Sequence, residues 1–156
     1  NSAFTAANAR RVYGVAAEAC ILGLPPPDKP APVADGPPYL IWVTSGVPHK
    51  NSHGFLEAIS IAVRQYGLRD LRVRAVGLRG EVLGRRIASL GIESLVHRED
   101  WIDDASLNSL IAGARLLAYP SIDEPFGLLP LQAMAHDPAR ERVDVERQVR
   151  KLGHGL

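Results

Sequence analysis

The sequence predicts an α/β fold: a parallel sheet with helices on its faces. Apolar strand-like runs and amphipathic helical segments alternate four times between Tyr39 and Ala135. Parallel neighbours need crossover connections, and the intervening helices supply them. The chain's 156 residues fit one domain, and 46% apolar with 22% charged residues is ordinary globular usage.

The N-terminal residues 1–24 read as a helix capped by Ser2 or Thr5 and ending near Gly14, too short to be a domain. Seven of the twelve prolines lie between Pro25 and Pro38, so residues 25–38 are expected to be a stiff, extended linker. Residues 39–44 (Y-L-I-W-V-T) form a continuous apolar run, as a strand buried on both faces requires. A loop with Gly46 and Pro48 follows. Ser52 is then expected to cap a helix whose apolar face carries Phe55, Ile59, Ala62 and Tyr66 and which Gly67 stops. Residues 71–77 are the second strand; Arg72 and Arg74 make it look less buried than the first. Residues 81–90 form a helix on Leu83, Ile87 and Leu90, and residues 92–96 a short third strand. Asp103 or Asp104 caps a helix carrying Leu107, Leu110 and Ile111. Residues 116–119 are the fourth strand, followed by a loop and a helix over about 127–135.

The end of the chain differs. Residues 136–156 hold nine charged residues in 21 and no strand-like run. Val145, Val149 and Leu152 make one helical stripe, with Glu146 and Arg150 paired at i,i+4. A solvated helix or frayed tail is expected; a helix for a specific partner is the alternative.

Composition excludes some functions. With 18 Lys+Arg against 17 Asp+Glu, there is no basic footprint for nucleic acid. Cys20 is the only cysteine, which rules out an intrachain disulfide and favours a reduced, cytoplasmic setting. No apolar run is long enough to span a bilayer, and residues 1–10 do not read as a signal peptide.

Ligands of doubly wound sheets sit beyond the carboxyl ends of the strands. Two loops stand out there. The first, residues 44–51 (T-S-G-V-P-H-K-N), has Gly46 for close backbone approach and Lys50 just before a helix N-terminus, where an anion is favoured. An ordinary turn with an exposed lysine is the alternative. It is neither a Walker loop nor a G-x-G-x-x-G fingerprint, which speaks against a nicotinamide-binding domain. In the second loop, residues 119–135, Pro125 and Gly127 shape a tight turn, and Asp123 and Glu124 precede a helix start. Glu124 is placed to accept hydrogen bonds from a polar ligand such as a sugar hydroxyl; a helix cap by Asp123 or Glu124 is the alternative. Gln132 lies further along the same helix.

The second loop resembles the P-S-x-x-E-x-F-G-L-x-x-x-E-A-M-A signature of retaining, nucleotide-sugar-dependent glycosyltransferases with the GT-B fold. Pro120, Ser121, Glu124, Phe126, Gly127, Leu128, Ala133, Met134 and Ala135 fall in register. The loop ending His49-Lys50-Asn51 resembles that family's basic diphosphate loop, and residues 1–14 resemble the end of its acceptor domain and the start of its hinge.

The resemblance implies a Rossmann-like domain at 39–135, an incomplete C-terminal half of a GT-B fold. It implies transfer of a sugar, with retention, from a UDP-, GDP- or ADP-sugar to an unidentified acceptor. Lys50 would neutralise the diphosphate, flanked by Ser45, Gly46 and His49. Glu124 would hold sugar hydroxyls, and the N–H groups of Phe126, Gly127 and Leu128 would face sugar and phosphates. Gln132 would meet the ribose, and Arg98 to Asp100 would lie near the base. Neither metal nor other cofactor is implied.

The chain departs from the pattern in three places. Gln132 replaces a glutamate, at a cost of order 1 kcal/mol in ribose binding. Ser45 stands where many members have an arginine. After Ala135 the family continues with a further strand, whereas here His136-Asp137-Pro138 and the charged tail follow. The chain is therefore expected to hold about half a donor domain and to be inactive in isolation, the activity belonging to a complete cytoplasmic or membrane-peripheral enzyme. The alternative is a non-catalytic nucleotide-binding or protein-interaction module. The fourth strand would be an edge, inviting a homodimer.

Overall fold

The computed structural model describes residues 2–21, 23–24 and 36–136. The tail stripe and most of the linker lie outside the described residues. Helix α1 (Ala3–Tyr13) begins at Ser2, whose hydroxyl accepts the Thr5 N–H at 3.1 Å, and ends at Gly14 in the left-handed conformation. The remaining order is β1 (Leu40–Val43), a 3-10 turn (Pro48–Lys50), α2 (Ser52–Tyr66), β2 (Val73–Val76), α3 (Glu81–Leu90), β3 (Val96–Glu99), α4 (Asp104–Gly113), β4 (Leu116–Ala118) and α5 (Leu128–His136).

All pairings are parallel and the strand order is β3-β2-β1-β4. The chain starts at β1, runs outward through β2 and β3, then returns to β1's other side. Side chains alternate across the sheet with the two-residue period of a strand. Trp42, Val73 and Ala75 pack with Leu56, Ile59, Leu83, Ile87 and Leu90 of α2 and α3. Ile41 and Val76 pack on the opposite face with Ile111 of α4 and with Leu129 and Ala133 of α5. Both faces are covered, which is why β1 reads as an unbroken apolar run. The Trp42 ring lies 4.8 Å from that of Phe55, tilted by 56°.

Three expectations require correction. Ser52 does not cap α2: Asn51 holds the cap position at φ 52°, and the buried Ser52 hydroxyl pairs with Thr44 Oγ1 at 3.0 Å. The helix presents Leu56, Ile59 and Ser60 to the core, with Phe55 half-buried, while Tyr66 is 61% exposed. The apolar stripe is centred one residue later because Ser52 and Ser60 are small enough to sit against the sheet.

The second strand is interior and well buried, with Val73 and Ala75 at 0% exposure. Arg74 is accommodated because its guanidinium pairs with Glu99 on β3 and lies over the Tyr39 ring. Arg72 precedes the strand and is exposed.

The third strand begins at Val96 rather than Ile92. Gly91 closes α3, and Leu95 donates to the Ile92 carbonyl at 3.0 Å, so residues 91–95 are spent on a turn. Ile92 is nonetheless buried as the anchor of that turn. The strand itself carries His97, Arg98 and Glu99, tolerated because β3 is an edge. The other helices fall where the periodicity places them. Asp103 caps α4 by accepting the Ser106 N–H at 2.7 Å, which holds its carboxyl below the ordinary value.

Candidate functional site

The strand order reverses between β1 and β4, and in open α/β sheets the crevice at such a reversal is the ligand-binding place. Both sequence-selected loops open there. The β1 loop starts at Thr44, buried and tied to Ser52, and its hydroxyl also accepts the Gly46 N–H at 3.4 Å. Gly46 has φ +74°, which turns the chain into the 3-10 segment. That segment carries Lys50 inward with its side chain 22% exposed. From the β4 side, Ile122 donates its N–H to the His49 carbonyl at 2.9 Å, locking the two loops together.

Lys50 and Glu124, 74 residues apart, meet as a result: Lys50 Nζ donates to Glu124 Oε2 at 2.5 Å. The Lys50 ammonium also lies over the Tyr119 ring, 5.4 Å from its centre. Hydrogen bonding with Lys50, then with Tyr119, holds the Glu124 carboxyl below the usual carboxylate range despite the opposing effect of burial. Burial, then hydrogen bonding and repulsion from Glu124, pushes the Tyr119 phenol well above its ordinary value.

A cavity of about 380 Å³ opens over this pair. Lys50, Glu124, Ser45, Phe126, Gly127, Leu128 and Gln132, all sequence candidates, line it. Gly127, at φ +77°, shapes the entry to α5, whose first-turn N–H groups have no intrahelical acceptor. Gln132 Nε2 donates to Asn108 Oδ1 on α4, so the amide is anchored and its carbonyl is the acceptor left for the cavity.

Gly46 and His49 shape the loop without lining the cavity. Arg98 is drawn elsewhere. Its guanidinium donates to the carbonyls of Leu78 (3.1 Å) and Gly80 (3.4 Å), bracing the β2–α3 loop two strands away from β4. Sequence reasoning did not single out Tyr119 and Thr44 as site residues. Tyr119, at the end of the fourth apolar run, reads as strand filler; its position immediately before the Pro120-Ser121 motif is the signal that finds it. Thr44 ends the apolar run that forms β1, and its small hydroxyl at the strand's carboxyl end is the signal that finds it.

Chemically, the crevice offers one fixed cation, one fixed carboxylate and a helix N-terminus, a set suited to an anionic group joined to a polyhydroxyl group. Among the described residues no cluster of three or more His, Cys, Asp or Glu side chains is arranged to hold a metal.

The model of the glycosyl transferases group 1 family matches residues 28–137. The O-antigen chain mannosyltransferase RfbU of Salmonella typhimurium is 29% identical over 106 residues, which is 62% of this chain and 27% of that protein. The chain thus spans about a quarter of that relative's length. In fold it is similar to the C-terminal domain of the group 1 protein LpcC from Francisella tularensis (TM-score 0.53, 22% identity, 62% of this chain and 53% of that one). It is also similar to Anabaena HepE in complex with UDP and glucose (TM-score 0.51, 20% identity, 87% of this chain and 32% of that one). The four-stranded Rossmann-like sheet therefore matches the C-terminal domain of a GT-B glycosyltransferase. With the family model covering well over half of its length, the chain belongs to the glycosyl transferases group 1 family.

Proposed function

We propose that this chain carries the donor-binding part of a glycosyltransferase that takes its sugar from a nucleotide-diphospho-sugar. The observation that carries this reading is the meeting of Lys50 and Glu124 at the β1/β4 reversal, beside the start of α5. Lys50 neutralises the diphosphate and Glu124 accepts sugar hydroxyls. The N–H groups of Phe126, Gly127 and Leu128 face the anionic linkage, and Gln132 offers its carbonyl to the ribose. Ser45, Gly46 and His49 shape the phosphate loop. Arg98 serves the base only through the loop it braces.

In the complete protein, residues 1–24 close an acceptor domain and begin a hinge, 25–38 link it to the donor domain at 39–135, and 136–156 form a charged tail. The complete enzyme transfers a hexose with retention and works in the cytoplasm or at its membrane face. No helix among the described residues is long and apolar enough to cross a membrane.

Calorimetric titration with UDP, GDP and ADP tests the reading. One nucleotide is expected to bind saturably, with affinity reduced roughly tenfold in Lys50→Ala, the scale of one charge-assisted hydrogen bond. If none of the three binds, this chain is not a donor site. One observation favours a second reading, a non-catalytic interaction module: β4 pairs with β1 on one side and leaves its other edge exposed among the described residues, with Leu116 41% exposed. That edge would pair two copies of the chain.

A further inference from the structure

We propose that Tyr119 is a positioning residue of this site, placing the Lys50 ammonium against Glu124 by supporting it on its ring. The proposal rests on the donor-site reading for its purpose, but not for its geometry. Three contacts support it. The ammonium sits 5.4 Å from the ring centre. Lys50 and Glu124 are joined at 2.5 Å. Tyr119 lines the same cavity as both.

Each partner alone is poorly constrained. Lys50 has a long flexible stem, and Glu124 sits in a loop between Asp123 and Pro125 rather than on a helix or strand. Tyr119 immediately follows β4, whose position is fixed by pairing with β1, so it is the one member of the trio tied directly to the sheet. Its ring also lies beside the turn into α5, 3.9 Å from the place a Cβ on Gly127 would take. A rigid aromatic with few rotatable bonds supports the ammonium at little entropic cost.

The titratable groups around Glu124 are Lys50 and His49 from the 3-10 segment and the phenol of Tyr119 at the end of β4. Asp123 is adjacent in the chain and exposed.

The test is an NMR titration of the 156-residue chain, following the Glu124 side-chain carbonyl. Glu124→Gln assigns that signal. In Tyr119→Leu the Glu124 midpoint is expected to rise, because the ammonium that holds it down loses its support. In Tyr119→Phe, which keeps the ring, the rise is expected to be smaller. A midpoint unchanged in Tyr119→Leu overturns the proposal. So does an equal rise in both variants.

Titration with UDP, GDP and ADP separates the two ideas. Tyr119→Leu is expected to weaken binding of whichever nucleotide the wild-type chain takes several-fold, Tyr119→Phe less, because the ring under Lys50 remains. A wild-type chain that binds no nucleotide removes the donor-site reading and leaves the NMR result to decide the role of Tyr119.

Discussion

Lys50 and Glu124 neutralise one another at close range, so their worth depends on pH. The Glu124 carboxyl is held below its ordinary value of 4.5, so folding binds fewer protons there than the unfolded chain does. The stabilisation is fully present above that ordinary value and is lost as pH falls through the folded pKa. Glu124→Gln is therefore expected to cost up to about 1 kcal/mol at neutral pH, a modest sum for a partly exposed pair. Thermal melts from pH 7 down to pH 3 should show the gap between wild type and variant closing. A gap that stays constant over that range would mean the pair contributes nothing through its charge. Lys50 and Glu124 were legible from sequence because each sits beside a backbone-shaping residue, Gly46 and Pro48 in one loop, Pro125 and Gly127 in the other. Arg98 was legible as a cation but not as a brace, because no local spacing reports that the carbonyls of Leu78 and Gly80 wait for it on the neighbouring strand's loop.

At the scale of elements, Gly77 joins two strands closely. It has φ +76°, and a Cβ there would fall 2.3 Å from the Thr44 carbonyl oxygen. Gly77→Ala combines left-handed strain with a backbone clash and is expected to cost more than about 1 kcal/mol. Urea unfolding measures the loss, and a variant as stable as wild type would show that the β1–β2 ends relax freely. Because Thr44 also lines the cavity, the same variant should weaken nucleotide binding. The elements legible in sequence were those with an unambiguous signal at both ends. Helix α3 ran from Glu81 to the Gly91 cap, and all three residues of its stripe are buried. β3 was misplaced because Ile92 and Val96 are both buried, yet only Val96 is in a strand; burial without pairing looks the same in a sequence. The α2 stripe was misplaced because small serines replaced the expected apolar contacts against the sheet.

For the whole molecule, stability is concentrated in the layer between the sheet and the α2–α3 pair. Trp42 is fully buried at its centre. Trp42→Ala is expected to cost about 3–5 kcal/mol, a large part of the roughly 5–15 kcal/mol that holds a domain together. Circular dichroism during urea titration should show a midpoint far below that of wild type; a small shift would mean the cavity collapses. The exposed β4 edge makes a separate prediction. Light scattering across a concentration series should show a dimer if the edge pairs two copies, and a monomer at the highest concentration would remove that reading. The fold class was legible because strand–helix alternation is written locally. Strand order was legible only through the resemblance to a Rossmann-like domain, which puts the fourth strand at an edge as observed, since nothing local reports that the fourth strand returns to the first.

That return has a consequence in time. Strand β1 can pair with β2 after a single crossover, but its other side waits for β4. Some 74 residues separate Lys50 from Glu124, which at 5–20 residues per second amounts to roughly 4–15 s of synthesis. Until β4 is made, the apolar strand Leu40–Val43 lacks the partner for one of its sides. Closing that side and assembling the Lys50–Glu124 pair need the same late stretch of chain, so slower translation over it is expected to delay both.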